Sequence, residues 1–308
     1  MTTLDSPIVS RRSTEREHGA RRPGTIRRLR DVWEHRELLG NLVRKELKVK
    51  YKNSALGFVW SLLNPMLYLA VFWLVFTVFM PASIPTFPIF LLCGLLPYNL
   101  FSAGLGGGTG SIVGNAGLVT KVWFPREILP LAAIGAALVH FSLQFLVLAS
   151  ALLVFWYEPS WSYLPLVIPA LLALLLVVAA FGIALAAINV YARDTQHLLE
   201  LVLLAWFWMT PIVYPYAQVS SRTVHGFKIG NWALLNPLTP VVITMQRAIW
   251  GQHRFQIGRA GKVMPALPDM SQWWYLRNLG LLAVGAVVML FIAFWIFGRL
   301  EDDFAETI

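Results

Sequence analysis

Side chains able to do chemistry are few in this chain and are poorly placed for catalysis. Glu158, Asp194 and Glu200 lie at the ends of long apolar runs whose interiors hold no carboxylate. A proton-driven carrier usually needs an ionisable group inside the membrane. His140 is the one candidate, and a hydrogen-bonded packing histidine is its alternative reading. Glu301-Asp302-Asp303 has the composition of a metal-binding cluster, but on a short tail it reads more simply as solvated. Cys93 is the only cysteine, which excludes an intrachain disulfide and a cysteine-based metal site. Glycines crowd residues 94–117, and the pairs Gly104/Gly108, Gly106/Gly110 and Gly110/Gly114 have the spacing that lets helix backbones approach closely. A phosphate-cradling P-loop needs Gly-Lys-Ser/Thr after its first glycine, and no lysine follows here. The glycines therefore read as close packing and a flexible helix end, and the chain does not bind ATP by that motif.

The elements that must position these residues follow from the distribution of charge. Of 308 residues 57% are hydrophobic and 13% charged, about half the charged share of a soluble domain. Residues 1–52 hold 14 Lys/Arg and 7 Asp/Glu, whereas 53–120 is a run of 68 residues without a charge. A soluble fold cannot hide so much apolar surface, because solvent-facing helices need a polar stripe. The reading is an all-α polytopic membrane protein with six spans near 55–80, 88–107, 128–156, 164–190, 198–216 and 274–298. With the N-terminus inside, 18 of the 25 Lys/Arg fall in cytoplasmic segments and none in the two short outer turns.

Residues 1–25 read as a disordered basic cytoplasmic tail, 26–52 as an interfacial amphipathic helix and 53–308 as the transmembrane domain. Met1–Arg30 lacks the apolar core of a signal peptide, and Asp5, Glu15 and Glu17 count against a transit peptide. The basic arm could hold nucleic acid, but beside a span it reads as lying on anionic lipid, so no nucleic acid is expected. Leu29, Val32, Trp33, Leu39, Val43 and Leu47 share one helical face, too polar overall to span. No 20–50-residue repeat is visible.

Three segments could carry a mechanism. Asn115 to Pro130 mixes the apolar Leu118, Val122, Trp123 and Phe124 with Lys121, Arg126 and Glu127. An exposed apolar patch on a short inner loop suits a protein docking surface, and an interfacial turn anchored by Trp123 suits it equally. The connection 217–273 contains an apolar stretch, 233–250, broken by Asn236-Pro237 and Pro240 and carrying Gln246 and Arg247. It is too short to span, and such backbone is tolerated at membrane depth only inside protein or against water. Aromatic residues cluster in the first span (Tyr68, Phe72, Phe76 and Phe79) and in the fifth (Trp206, Phe207, Trp208, Tyr214 and Tyr216), where a membrane-interface belt is the ordinary account.

Several strings together resemble one family. Lys121-Val-Trp-Phe-Pro-Arg-Glu-Ile-Leu-Pro130 is similar to the segment after the second span in permease subunits of type-2 ABC exporters of O-antigen, capsule, teichoic acid and lipid-linked galactan. Arg44-Lys-Glu-Leu-Lys-Val-Lys-Tyr-Lys-Asn-Ser-Ala-Leu-Gly57, Val190-Tyr-Ala-Arg-Asp194 with His197, Phe207-Trp-Met-Thr-Pro-Ile-Val-Tyr214, Asn236-Pro-Leu-Thr-Pro240 and Arg299-Leu-Glu-Asp-Asp-Phe-Ala-Glu306 agree in order and spacing. The likeness covers about residues 30–308. It implies a homodimer with two separate ATP-binding subunits exporting a lipid-linked polysaccharide across the bacterial cytoplasmic membrane, both termini cytoplasmic. This chain is then no enzyme and holds no cofactor, ATP and magnesium residing on the partner.

The resemblance also implies roles. Asn115, Leu118, Lys121, Trp123, Phe124, Pro125, Arg126 and Glu127 would couple to the ATPase, with Arg193, Asp194 and His197 at a second contact. Asp194 is also a candidate cap for the fifth span. Asn236, Pro237, Pro240, Gln246 and Arg247 would belong to a re-entrant outer gate, with a surface-lying helix as the other reading. Tyr68, Phe72, Phe76, Phe79, Trp206, Trp208 and Tyr214 would line the glycan path, since aromatic faces stack on sugar C–H surfaces. A type-2 permease for drugs or lipids is the nearer alternative. A membrane-embedded glycosyltransferase or ligase is the alternative of another class, and it would need a catalytic carboxylate or metal site.

Overall fold

Long apolar helices packed side by side make up the frame. The structure is a computed structural model that describes residues 24–52, 59–79, 84–154, 156–221, 223–224, 227–257 and 262–307. Its helices are α1 (Thr25–Glu34), α2 (Arg36–Tyr51), α3 (Val59–Leu74), α4 (Phe87–Gly114), α5 (Ala116–Val119), α6 (Ile128–Val154), α7 (Val167–Tyr191), α8 (Asp194–Met209), α9 (Tyr216–Ser220), α10 (Ile229–Ala233), α11 (Leu238–Met245), α12 (Gln272–Leu300) and α13 (Phe304–Thr307).

Among the described residues, four helical stretches are long and apolar enough to cross a membrane: Phe87–Gly114, Ile128–Leu153, Leu164–Tyr191 and Gln272–Asp303. They correspond to the second, third, fourth and sixth expected spans. α3 and α8 have 16 residues each, about 24 Å at about 1.5 Å per residue. α3 continues as a π-helical turn, Val75–Phe79, and the start of the first expected span, 55–58, lies outside the described residues. α8 stops at Met209, short of the expected 216, because Pro211 and Pro215 cannot continue its hydrogen-bond ladder. The tail expected over 1–25 falls outside the described residues except for Gly24 and Thr25.

Two expectations are corrected. The fold is mostly rather than wholly helical, because the long connection holds two antiparallel pairs. β1 (Thr223–Val224) pairs with β2 (Phe227–Lys228), and β3 (Arg254–Ile257) pairs with β4 (Lys262–Pro265) in the register Arg254↔Pro265. These β-branched and aromatic segments satisfy one another's backbone in a connection too irregular for a helix. The amphipathic segment 26–52 is two helices broken at His35, whose ring Nδ1 lies 2.7 Å from the Asp31 carbonyl. Val32, Leu39 and Val43 of its apolar face pack, together with Leu38, on a core of Ile128, Ile183 and Phe297, whereas Leu29 and Trp33 stay exposed.

The glycines close the frame. A Cβ on Gly104 of α4 would stand 2.5 Å from Val178 Cγ1 of α7, and one on Gly108 would stand 3.3 Å from the Gly182 backbone. The helix therefore continues through these glycines to Gly114, instead of ending near residue 107 as a flexible end. Asn189 Nδ2 of α7 donates to the Thr109 carbonyl at 3.1 Å in the same crossing. Gly108→Leu is expected to cost about 1–3 kcal/mol by overpacking. Gly106→Leu, with nothing within 4 Å of its Cβ position, is expected to be tolerated. Thermal denaturation of the two variants in detergent checks the contrast, and equal midpoints would contradict close packing.

Candidate functional site

One end of the frame gathers residues from the beginning, middle and end of the described chain. At the end of α4 the Asn115 backbone leaves the helical region (φ −116°, ψ 27°). Its side chain donates from Nδ2 to the Ser111 carbonyl at 2.8 Å and accepts from Lys45 Nζ of α2 at 2.5 Å. After the single turn of α5 the chain returns through 120–127. The Pro125 and Arg126 carbonyls accept the amides of Ile128 and Leu129, which starts α6.

Adjacent aromatics on this return point opposite ways. Trp123 is 88% exposed beside the exposed Lys121 and Val122, whereas Phe124 is 5% exposed, packed with Leu42, Ile128 and Phe297. The expectation of an exposed Phe124 is thus corrected. A benzyl group beside Leu42 of α2 and the apolar start of α6 gains more from burial than from solvent. Leu118 is half-buried on α5.

Beneath this loop lies an ion triad. Arg28 Nη1 of α1 donates to Glu127 Oε1 at 2.5 Å and to Glu301 Oε2 at 2.6 Å. The three side chains are 10%, 2% and 21% exposed. Arg126 Nη1 donates to the Glu301 carbonyl, and its guanidinium lies 5.8 Å from the centre of the Phe304 ring. Burial pushes the Glu127 carboxyl above its ordinary value, the charge of Glu301 adds to this, and Arg28 opposes both. Burial alone would lower the Arg28 guanidinium, but its hydrogen bonds to Glu301 and Glu127 raise it. One cation therefore serves two carboxylates, and Glu301, read from sequence as part of a solvated tail, is an internal ligand of it. Arg28 and Phe304 were not singled out from sequence. Arg28 is one of three arginines within 27–30, and no spacing marks it.

The second expected contact stands at the same end. Tyr191 Oη donates to the Leu300 carbonyl at 2.7 Å, and its ring lies 6.1 Å from that of Phe304. Two residues later, Arg193, Asp194 and His197 are exposed at the start of α8. The N-cap position is Arg193 and no side chain caps the helix, so Asp194 occupies the first turn rather than the cap. The helix dipole still favours an anion there.

At the other end, 238–250 is buried throughout except for a half-buried Arg247, against α4 and α7. It starts at Pro237 as α11 and finishes as a π-helical turn, Gln246–Trp250, in which the Gly251 amide donates to the Gln246 carbonyl at 3.0 Å. Pro240 falls in its first turn, where proline is tolerated. Asn236 ties this helix to α8. Its Oδ1 accepts from Trp206 Nε1 at 2.8 Å and from the Leu238 amide at 3.0 Å, and its Nδ2 donates to Thr210 Oγ1 at 2.9 Å. Gln246 Nε2 donates to the Pro211 carbonyl at 3.1 Å, and Arg247 lies 4.4 Å over the Tyr163 ring. Trp250 Nε1 reaches the Pro85 carbonyl at 2.9 Å, just before α4.

Asn236→Ala removes these bonds and a longer one from Nδ2 to the Met209 carbonyl at 3.5 Å, each worth about 0.5–1.5 kcal/mol net. It is expected to raise hydrogen exchange across 236–250 while leaving α6 and α7 protected. Unchanged exchange in that segment would remove Asn236 as its anchor.

The aromatic residues divide. Trp206 is half-buried, 5.1 Å from the Phe101 ring, whereas Trp208 is exposed and its carbonyl accepts from Tyr214 Oη at 2.8 Å. Phe79 is exposed. Tyr68, Phe72 and Phe76 lie on α3 and its π turn, and their side chains lie outside the described residues. Trp206 and Trp208 thus present opposite sides of one helix.

Over residues 37–249 the chain matches the family described as ABC-2 type transporter, and it belongs to that family. It is thus an integral membrane permease subunit, and membership implies an ABC ATP-binding partner. It is 35% identical over 283 residues, 92% of this chain and 100% of the relative, to the O-antigen export system permease protein RfbA of Myxococcus xanthus. It is 30% identical over 211 residues, 68% of this chain and 78% of the relative, to the protein of the same name from Klebsiella pneumoniae. It is 26% identical over 215 residues, 68% of this chain and 79% of the relative, to the polysialic acid transport protein KpsM of Escherichia coli.

Proposed function

We propose that this chain is the permease subunit of an ATP-driven exporter of a lipid-linked polysaccharide, working as a homodimer with two ATP-binding subunits. The observation that carries the reading is the 35% identity over the whole length of an O-antigen export permease. α3 and α8 complete six spans, α1 and α2 lie at the cytoplasmic face, and both ends of the chain are cytoplasmic. Such an orientation puts Arg44, Lys45, Lys121 and Arg193 on the side where positive charge accumulates.

ATP and magnesium belong to the partner, which docks on Trp123, Lys121 and the loop from Asn115 to Glu127, with Arg193, Asp194 and His197 as the second contact. At the outer side the segment from Asn236 to Trp250 acts as the gate, and the aromatics of α3 with Trp208 of α8 face the path in the dimer. Depletion of the protein tests the reading. Lipid-linked polysaccharide is expected to accumulate in the cytoplasmic leaflet, detected by glycan analysis of spheroplast lipids. Normal surface polysaccharide on depletion, with a lipid or drug retained instead, would transfer the chain to another cargo class.

A further inference from the structure

Unpaired polar atoms are concentrated in one segment. Among the described residues five buried side-chain atoms have no hydrogen-bond partner: Asn189 Oδ1, Thr239 Oγ1, Gln246 Oε1, Arg247 Nε and Gln252 Oε1. Four of the five lie within 239–252, the run that holds α11 and its π-helical end. Thr239 and Gln246 are fully buried, and at seven residues' separation they share one face of the helix. A polar atom shut away from water without a partner destabilises the arrangement that buries it.

Local geometry explains how these atoms are stranded. Thr244 Oγ1 donates to the Pro240 carbonyl at 2.6 Å, one turn back along α11. Thr239 has no such outlet, because Leu235, four residues back, precedes the helix. Gln246 is pressed against α4 at Gly94, where an added Cβ would stand 3.3 Å from its Nε2, and its Oε1 finds no donor there. The two flanks, by contrast, are tied. Asn236 holds the start to α8. At the finish Trp250 Nε1 donates to the Pro85 carbonyl and to Thr86 Oγ1 at 3.0 Å, and the Ser160 amide donates to the Ala248 carbonyl at 3.0 Å. A valine at 239 would keep the shape of the threonine without its stranded hydroxyl. Seating alone would be served better by an apolar face, so the polar groups have their use in another position of the segment.

We propose, on the gate reading above, that 239–252 occupies a metastable closed seat and that Thr239 and Gln246 make it so. Their unpaired oxygens are satisfied only when α11 lifts from α4, where water and the hydroxyls of the passing glycan reach them. The π turn and Gly251, whose φ is 86°, give the segment an irregular end that can rearrange. A shallow closed state leaves little for the movement driven by the partner's ATP hydrolysis to overcome.

The only cysteine is a built-in reporter. Cys93 is fully buried on α4 and meets the Trp250 backbone, so its thiol is covered while the seat is closed. The complex with its ATP-binding subunits, purified from membranes into lipid nanodiscs, is given brief pulses of N-ethylmaleimide, and the mass of this chain is read. Labelling is expected to be slow at rest and severalfold faster during ATP turnover. Thr239→Val is expected to raise the thermal midpoint by about 2–4 °C. It is also expected to reduce the open fraction, and with it the gain in labelling, about fivefold, with export falling in step. Thr239→Ser, which keeps the hydroxyl, is expected to keep the gain and the export. Labelling that ATP does not change would overturn the gate and the metastable seat together. If labelling rises with ATP, a midpoint that does not rise in Thr239→Val, or a gain that stays intact there, would overturn the metastable seat alone.

Discussion

Arg28→Ala is expected to be the most damaging single substitution at the charged end, costing about 3 kcal/mol, because it strands the buried Glu127 carboxylate beside the partly buried Glu301. Glu127 and Glu301 meet through one guanidinium, and without it burial and mutual repulsion act on both. The sign of the pH effect follows. In the folded protein the Glu127 carboxyl sits above its ordinary value, so folding favours its protonated form. That contribution is fully present below about pH 4.3, the ordinary glutamate value, and is lost as pH rises through the folded value. Without Arg28 the folded value rises further and the window widens. The Arg28→Ala protein is therefore expected to recover stability on mild acidification, and Glu127→Gln in the same chain to restore part of the loss at neutral pH. Thermal midpoints in detergent at pH 5 and 8 check this, and a deficit that neither acid nor Glu127→Gln relieves would show that Arg28 acts by packing alone.

Trp123→Asp is expected to reduce export more than tenfold while leaving the fold intact. The side chain is 88% exposed, and substitutions at such positions usually move stability by no more than about 0.5 kcal/mol. Exposed tryptophans that anchor an interface are worth about 2 kcal/mol or more, roughly thirtyfold in an equilibrium. ATP hydrolysis by the complex and delivery of polysaccharide to the surface should part company, with thermal stability unchanged. Phe124→Asp is the contrasting substitution. At 5% exposure it buries an unpaired carboxylate and is expected to lower the yield of folded protein. Normal export by Trp123→Asp would move the docking surface away from the loop.

The sequence made the long elements legible because their signal is bulk apolarity over 20 or more residues, which burial in lipid or in protein demands alike. The expected spans at 128–156, 164–190 and 274–298 agree with α6, α7 and α12 to within three residues at each end. Boundaries set by tertiary contact were less visible. Nothing local says that α4 continues through its glycines, since it is α7 that holds them helical, and the stop of α8 depends on Pro211. At the site, residue types alone did not separate Trp123 from Phe124, because burial of one and exposure of the other is decided by α2 and α12. Arg28, Glu127 and Glu301 lie 99 and 273 residues apart, and a pattern read along the chain cannot join them.

Those separations also set an order of events in biosynthesis. Arg28 leaves the ribosome early, Glu127 after α4, and Glu301 only beyond the final long helix, so the triad is a late, long-range contact. Until α12 is inserted, Arg28 and Glu127 lack their third member and Phe304 cannot cover them. A chain that lacks α12 thus exposes a charged, apolar-edged patch that the finished protein hides. Completion of the chain is written into a contact that closes only when its last helix is in place.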